Sequence, residues 1–342
     1  MAKKHINIPV FIPHLGCPNQ CVFCNQRTIS GVGRFDHKSV IPIIEEALKT
    51  KREDQEAEIA FFGGSFTGID PELMTELLKI ANSYLIQGRI SSIRCSTRPD
   101  YINPTILDTL VRYGVGTVEL GLQSYSDKVL CASKRGHDSE CERRACDMIR
   151  NSGIRLGGQM MIGLPYSTGD DEVRTARFIA ESGCDEARIY PTLVFRETEL
   201  ASMVDSGEYI PLCEEEAVAR SADAFSVLVR AGVKILRIGL CDSDNLHSSD
   251  TYLAGPNHPA MGELVVGEYY YREIAEKLCS LGNVQNGKIT VYAPRGETSK
   301  IIGQNKKNKI RLLQEFRLSD LKVVEKDGLA EYSVLLSTEE RK

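Results

Sequence analysis

The feature that most restricts the fold is a regular alternation of short apolar strands and amphipathic helices through the first two hundred residues. Ile6, Ile8, Val10 and Ile12 recur at every second position, the period of a half-buried strand over residues 5–13. Val40, Ile43, Ile44, Ala47 and Leu48 follow helical spacing. A strand at 58–62 precedes Asp70-Pro71, an N-cap with proline at the first helical position, which opens a helix to about residue 85. A third strand at 90–96 precedes Asn103-Pro104, which opens a third helix. A fourth strand at 117–122 leads into a helical region ending near Gly153. A fifth strand at 154–162, a helix over 170–182 and a sixth strand at 187–194 complete the series. Six such units predict parallel strands joined by crossovers, too few for a closed eight-fold barrel. The expected fold class is α/β: a partial (β/α)6 barrel, an α/β extension and a small C-terminal α+β domain. The expected boundaries are 1–195, 196–280 and 281–342. In such folds the chemistry sits just after strands, at their C-terminal ends.

The segment after the first strand reads Cys17-Pro18-Asn19-Gln20-Cys21-Val22-Phe23-Cys24. Cubane iron–sulfur clusters are normally held by four thiolates. Here three sit together, and no other cysteine has a spacing that marks it as a fourth. Three ligands leave one iron with an open position. The alternatives are a zinc site closed by His14, since structural zinc takes four ligands, or a redox-sensing thiol group. The chain holds 11 cysteines, an odd number in a large chain without an export signal, which argues against a disulfide framework. Those at 95, 131, 141, 146, 184, 213, 241 and 279 are scattered and are expected to be core or surface thiols. With 42 % apolar and 26 % charged residues, and no apolar run of membrane-spanning length, a cytoplasmic protein without a membrane partner is expected.

With this motif the chain resembles the radical S-adenosylmethionine (SAM) superfamily. The resemblance implies that Cys17, Cys21 and Cys24 bind a [4Fe–4S] cluster whose fourth iron is chelated by SAM. It implies an external reductant of the flavodoxin or ferredoxin type and reductive cleavage of SAM to a 5′-deoxyadenosyl radical. Phe23 matches the aromatic position near the SAM adenine. Gly63, Gly64 and Ser65, after the second strand, match the place that receives the SAM amino group, although Ser65 stands where Glu is usual. Arg98, after the third strand, is expected to pair with the SAM carboxylate. Gln123, closing the fourth, is expected to meet the ribose, and Gly163, closing the fifth, belongs to the same set. His137 reads equally as a helix-entry hydrogen bonder or a functional group.

Phe61-Phe62-Gly63-Gly64-Ser65-Phe66-Thr67-Gly68, Val118-Glu119-Leu120-Gly121-Leu122-Gln123-Ser124, Lys134-Arg135-Gly136-His137, Met161-Ile162-Gly163-Leu164-Pro165 and Arg188-Ile189-Tyr190-Pro191 together resemble a narrower group. This is the Elongator catalytic-subunit-like branch, over roughly residues 5–275. Its members continue into an acetyltransferase-like domain that serves tRNA wobble-uridine modification. The present sequence is too short to include one, so that reaction is not carried over.

Residues 281–342 hold 12 Lys and Arg against 8 Asp and Glu, a net of +4, which leaves −9 for the rest of a chain whose total is −5. Their strand–helix–helix–strand pattern resembles a degenerate KH domain, whose GxxG loop clamps nucleic-acid backbone. Here the loop reads Gly303-Gln304-Asn305-Lys306, and Lys306, Lys307, Lys309 and Arg311 are the expected phosphate contacts. The expected function is radical SAM chemistry on RNA, with tRNA the substrate that the family resemblance implies. Radical chemistry on a small molecule, as in coproporphyrinogen oxidases, and a non-catalytic Fe–S RNA-binding protein are the alternatives. No single residue beyond the cluster is assigned a catalytic role, and oligomeric state is left open. Of the run Tyr269-Tyr270-Tyr271, at least one is expected to be simple packing.

Overall fold

The computed structural model describes residues 4–12, 15–17, 21–25, 35–240 and 248–338. His14, the alternative zinc ligand, and Cys241 lie outside the described residues.

Seven parallel strands form one curled half-barrel sheet in strict chain order. They are β1 (Lys4–Phe11), β2 (Gln55–Phe62), β3 (Ser92–Thr97), β4 (Val115–Gln123), β5 (Arg155–Ile162), β6 (Glu186–Pro191) and β8 (Lys234–Ile238). The six-strand expectation is one strand short. Residues 234–238, a strand of the extension by sequence, pair in parallel with β6 as the seventh barrel strand. A short ribbon of β7 (Val194–Phe195) and β9 (Tyr252–Ala254) is antiparallel.

The helices between strands are α1 (Val40–Thr50), α2 (Pro71–Ile86), α3 (Pro104–Arg112), α4 (Asp127–Ala132), α5 (Ser139–Asn151) and α6 (Gly169–Glu181). Asp70 accepts from the Glu72 and Leu73 amides at 3.0 Å, and Asn103 accepts from the Ile106 amide at 3.0 Å, the caps that the sequence signals. The helical region after β4 is two helices rather than one. Lys134 (φ 52°) and Gly136 (φ 75°) turn the chain between them in left-handed conformations that no helix accommodates.

Ile8, Val10, Ile59, Phe61, Ile93, Val118, Leu120, Leu156 and Ile189 alternate along the strands and face a helix layer that includes Ile44, Leu77, Leu110, Ile149 and Ile179. The other face of the sheet is polar. The extension adds α7 (Glu199–Asp205), α8 (Glu214–Arg230) and α9 (Met261–Ser280). Tyr269, Tyr270 and Tyr271 of α9 are all buried, so all three pack.

The C-terminal segment forms β10 (Lys288–Ala293), α10 (Thr298–Ile302), α11 (Lys307–Glu315), β11 (Asp320–Glu325) and β12 (Leu335–Thr338). Its sheet runs β11–β10–β12, with β10 parallel to β11 and antiparallel to β12. Tyr332 is left-handed (φ 61°), and its ring meets Phe225 edge-on at 5.0 Å. Among the described residues no helix is long and apolar enough to cross a membrane.

Candidate active site

The cysteine loop leaves β1 at the C-terminal rim of the sheet, where the Ile12 amide donates to the Phe62 carbonyl at 2.7 Å. It then lies backbone to backbone on the turn after β2. A Cβ on Gly16 (φ 74°) would stand 2.2 Å from the Ser65 carbonyl oxygen, and one on Gly64 would stand 2.5 Å from that of Leu15. The glycines expected to admit a ligand therefore admit the cysteine loop itself. Cys17 Sγ lies 3.3 Å from Ser65 Oγ, and Ser65 is buried. Gly64→Ala tests this seat without a left-handed backbone penalty. It is expected to cost ~1–3 kcal/mol of stability, the usual penalty of overpacking, and to lower iron uptake. An unchanged melting temperature with full uptake would show that this close approach does not hold the loop.

The second half of the loop is pinned by two helix ends, the C-terminus of α4 and the N-terminus of α7. The Val22 amide donates to the Ser133 carbonyl at 3.2 Å, and the Leu200 amide donates to the Val22 carbonyl at 2.8 Å. Val22 is buried among Val194, Leu200 and Met203, with the half-buried Phe23 packed against the same cluster. Cys21 Sγ receives Arg135 Nη1 at 3.2 Å and faces Arg98 Nη1 at 3.8 Å. Among the described residues no three His, Cys, Asp or Glu side chains converge to metal-binding distance. Cys17, Cys21 and Cys24 are half-buried neighbours on one loop.

Arg98 is buried, which excludes the surface role that a lone arginine before a helix suggests. Its Nε and Nη2 each donate to Asp100 at 2.9 Å, and Nη2 also donates to the Arg135 carbonyl. That leaves only Nη1 for any carboxylate ligand. Asp100 is also 3.5 Å from His137 Nδ1, while His137 Nε2 is 3.2 Å from Glu142. Burial raises the Asp100 pKa, but the adjacent His137 imidazole and the hydrogen bonds from Arg98 outweigh it and hold the carboxyl below its usual range. Glu142, fully buried, is pushed up to about 7 by burial, which the His137 hydrogen bond only partly offsets.

Gln123 occupies a left-handed conformation (φ 68°) at a register shift in β4 opposite Met160. Its Oε1 is buried without a hydrogen-bond partner among the described residues, as is Arg135 Nε. Leaving a buried acceptor unpaired costs about 1–3 kcal/mol, so a donor arriving from a ligand would be strongly favoured there. Gly163 (φ 77°) is different. Its amide donates to Glu172 at 2.6 Å, and its carbonyl accepts from the Tyr209 hydroxyl at 2.6 Å. Both peptide groups are satisfied within the protein, which leaves Gly163 only its surface to offer.

Sequence reasoning missed a charge network centred on Glu119. Arg94 Nη1 donates to Glu119 Oε1 at 2.7 Å, and Arg94 also binds Glu58 and Glu186. Arg188 Nε donates to Glu119 Oε2 at 2.6 Å, and Gln159 Nε2 donates to the same oxygen at 2.9 Å. A Cβ on Gly157 would stand 3.0 Å from Glu119 Cγ and 3.4 Å from Glu186 Cγ, so that glycine lets the two carboxylates in. Burial raises the pKa values of Glu58 and Glu119. His5 and Arg94 on the first, and Arg188 and Arg94 on the second, outweigh it and hold both below the usual glutamate value. Toward the rim, Arg188 stands 5.5 Å from the Phe62 ring centre, and Phe62 pairs with the exposed Phe11 at 6.4 Å. The period-2 placement of charge inside apolar strands was the available signal.

At the other end of the chain, Gly303 (φ 76°), Asn305 (φ 51°) and Lys306 (φ 63°) shape the turn between α10 and α11. Lys306 and Lys307 are exposed and make no ion pair among the described residues. Lys309 is 3.3 Å from Asp320, and Arg311 is 3.0 Å from Glu268 and stacked 3.5 Å above the Tyr271 ring. Those two cations already have partners. The turn borders a groove of about 800 Å³ whose opposite wall carries Glu214, Glu215, Glu263 and Glu268.

Residues 11–179 match the family model of the radical SAM superfamily, and residues 184–271 match that of the Radical_SAM C-terminal domain. A tRNA uridine(34) acetyltransferase of Methanocaldococcus jannaschii is 28 % identical over 207 residues, 54 % of this chain and 38 % of that protein. An uncharacterized protein of the same organism is 29 % identical over 237 residues, 65 % of this chain and 71 % of its own length. The chain thus spans well under half the length of the acetyltransferase. In fold it is similar to the archaeal Methanocaldococcus infernus Elp3 with an N-terminal deletion, at a TM-score of 0.61 and 23 % identity, covering 81 % of this chain and 64 % of the other. Two adjoining family matches and a half-barrel with its thiol loop at the strand ends lead to one conclusion: the chain belongs to the radical SAM superfamily of enzymes, with Elongator-type proteins among its relatives.

Proposed function

We propose that this chain binds a [4Fe–4S] cluster through Cys17, Cys21 and Cys24, cleaves SAM reductively and modifies RNA, tRNA being the favoured substrate, in the cytoplasm. The observation that carries the reading is the three-thiol loop seated on Gly63 and Gly64 at the strand ends of the half-barrel. The residues present fit the implied groups. Three half-buried thiols on one loop suit a cubane with one open iron. The unpaired Gln123 Oε1 suits a ligand hydroxyl.

When bound, the cluster and SAM supply one-electron cleavage of the sulfonium carbon–sulfur bond. The chain's own groups do the rest. Cys17, Cys21 and Cys24 hold the metal. Ser65 steadies Cys17, and Arg135 and Arg98 steady Cys21. Gln123 orients the ribose by accepting a hydrogen bond from a hydroxyl. Gly63 and Gly64 seat the loop that carries the thiols, and Phe23 and Gly163 shape the walls around the cofactor. The Arg94–Glu119–Arg188 network closes the polar face beneath with its hydrogen bonds already made. An electron arrives from a flavodoxin- or ferredoxin-type donor. Anaerobic reconstitution with iron and sulfide, followed by dithionite and SAM, is expected to yield 5′-deoxyadenosine. Protein that takes up zinc instead, or a cluster that leaves SAM intact, would sink the reading.

The RNA substrate is supported by the similarity to a tRNA uridine(34) acetyltransferase and by the basic turn at Gly303. With Lys309 and Arg311 engaged internally and an acidic wall across the groove, Lys306 and Lys307 carry the phosphate interaction. Changing both to Glu is expected to weaken tRNA binding about tenfold or more. It is also expected to lower the salt slope by about 1.5, since each neutralised phosphate is worth roughly 0.7–0.9. Filter binding across a salt series measures both. Indifference to the change would point to a small-molecule substrate.

A further inference from the structure

We propose that Arg135 is a positioning residue for the cluster, assisted by Arg98: its N–H···S hydrogen bond to Cys21 raises the reduction potential. The proposal rests on the cluster assignment made above and concerns a property that assignment leaves open.

Arg135 is 5 % exposed and enters the site from the turn between α4 and α5. The left-handed residues on either side, Lys134 and Gly136, fix its backbone, and its amide donates to the Leu130 carbonyl at 3.0 Å. The guanidinium is then held as a fork. Nη1 lies 3.2 Å from Cys21 Sγ and Nη2 lies 2.5 Å from the Gly121 carbonyl oxygen. Arg98 locks this arrangement from behind. Asp100 grips it through two bonds, it donates to the Arg135 carbonyl, and its own Nη1 faces the same sulfur. Cys17 has a different neighbour, the neutral hydroxyl of Ser65. Two buried guanidiniums thus meet at Cys21.

The sign follows from charge. Reduction adds an electron to the cluster and its thiolates. Positive charge and N–H donors at a coordinating sulfur stabilise the more negative state, and burial leaves that attraction weakly screened. The two arginines therefore make the electron easier to accept. Most of their donors are spent on Cys21, Gly121, Asp100 and the Arg135 carbonyl, so their first role lies with the protein ligand rather than with the SAM carboxylate.

The test compares wild type with Arg135→Gln after anaerobic reconstitution. Iron and sulfide are counted first, and the midpoint potential is then read by EPR-monitored titration without SAM. At equal loading, the variant's reduced-to-oxidised ratio at the wild-type midpoint is expected to fall about tenfold, which is about 59 mV for a one-electron couple. Arg135→Lys, which keeps a cation and a donor, is expected to fall between. Should Arg135→Gln load poorly, Arg135→Lys and Arg98→Lys carry the same comparison with smaller shifts of the same sign. A fully loaded variant that titrates with wild type overturns the proposal while leaving the cluster assignment intact. Wild type without iron and sulfide would instead overturn the assignment, and this inference with it.

Discussion

Cys21→Ala is expected to lose its cluster and to form no more 5′-deoxyadenosine than a protein-free control. Cys17→Ala and Cys24→Ala are expected to do the same. The buried cysteines are not able to take over. Cys95, Cys146 and Cys184 are buried, and burial pushes the first two thiols up to about 12 and the third well above its usual value. A thiol held protonated is a poor metal ligand. Cys279 is exposed at the end of α9, so Cys279→Ser serves as a control that keeps full iron and full activity. Wild-type product from Cys21→Ala would remove the central claim about the loop.

The second large effect lies beneath the site. Glu119→Ala is expected to cost ~3–5 kcal/mol, because it removes the acceptor shared by buried Arg94 and half-buried Arg188. Urea denaturation followed by circular dichroism measures this, and a loss under about 1 kcal/mol would show that water or other side chains compensate. The same network sets an acid limit. Glu58 and Glu119 are held ionised below the ordinary glutamate pKa of 4.5, so the unfolded chain takes up their protons first. The stability they contribute is complete above 4.5 and is lost as pH falls through their lowered folded values. Acid titration of Glu119→Gln should show a shallower loss over that range.

Much of the barrel was legible because its strands alternate with helices whose start signals are local. Asp70-Pro71 and Asn103-Pro104 cap where the sequence places them. The seventh strand was harder to assign, since 42 residues separate β6 from β8 and no local signal says which sheet accepts it. The three cysteines were legible for the same local reason, being packed into eight positions. Arg135 was not, because its partner Cys21 lies 114 positions away and only the assembled half-barrel brings the two together. Arg98 was noticed for its position after a strand, but its bond to Asp100 depends on side-chain geometry that spacing alone does not give. The charges at 58, 94, 119, 186 and 188 were visible singly. Their meeting on one face needs the strand register, which is a property of pairing rather than of any one strand.

Strict chain order in the sheet also sets a timetable for the growing polypeptide. Each strand can dock on the one synthesised just before it, so the glycine seat for the thiol loop exists once β2 has followed β1. The guanidinium at Cys21 arrives only when residue 135 has emerged, and the amide of Leu200 that fastens Val22 arrives later still. The complete surroundings of the thiol loop therefore exist only late in synthesis, after most of the half-barrel has been made. A ribosome-bound fragment ending before residue 135 would offer thiols to iron without their electrostatic setting.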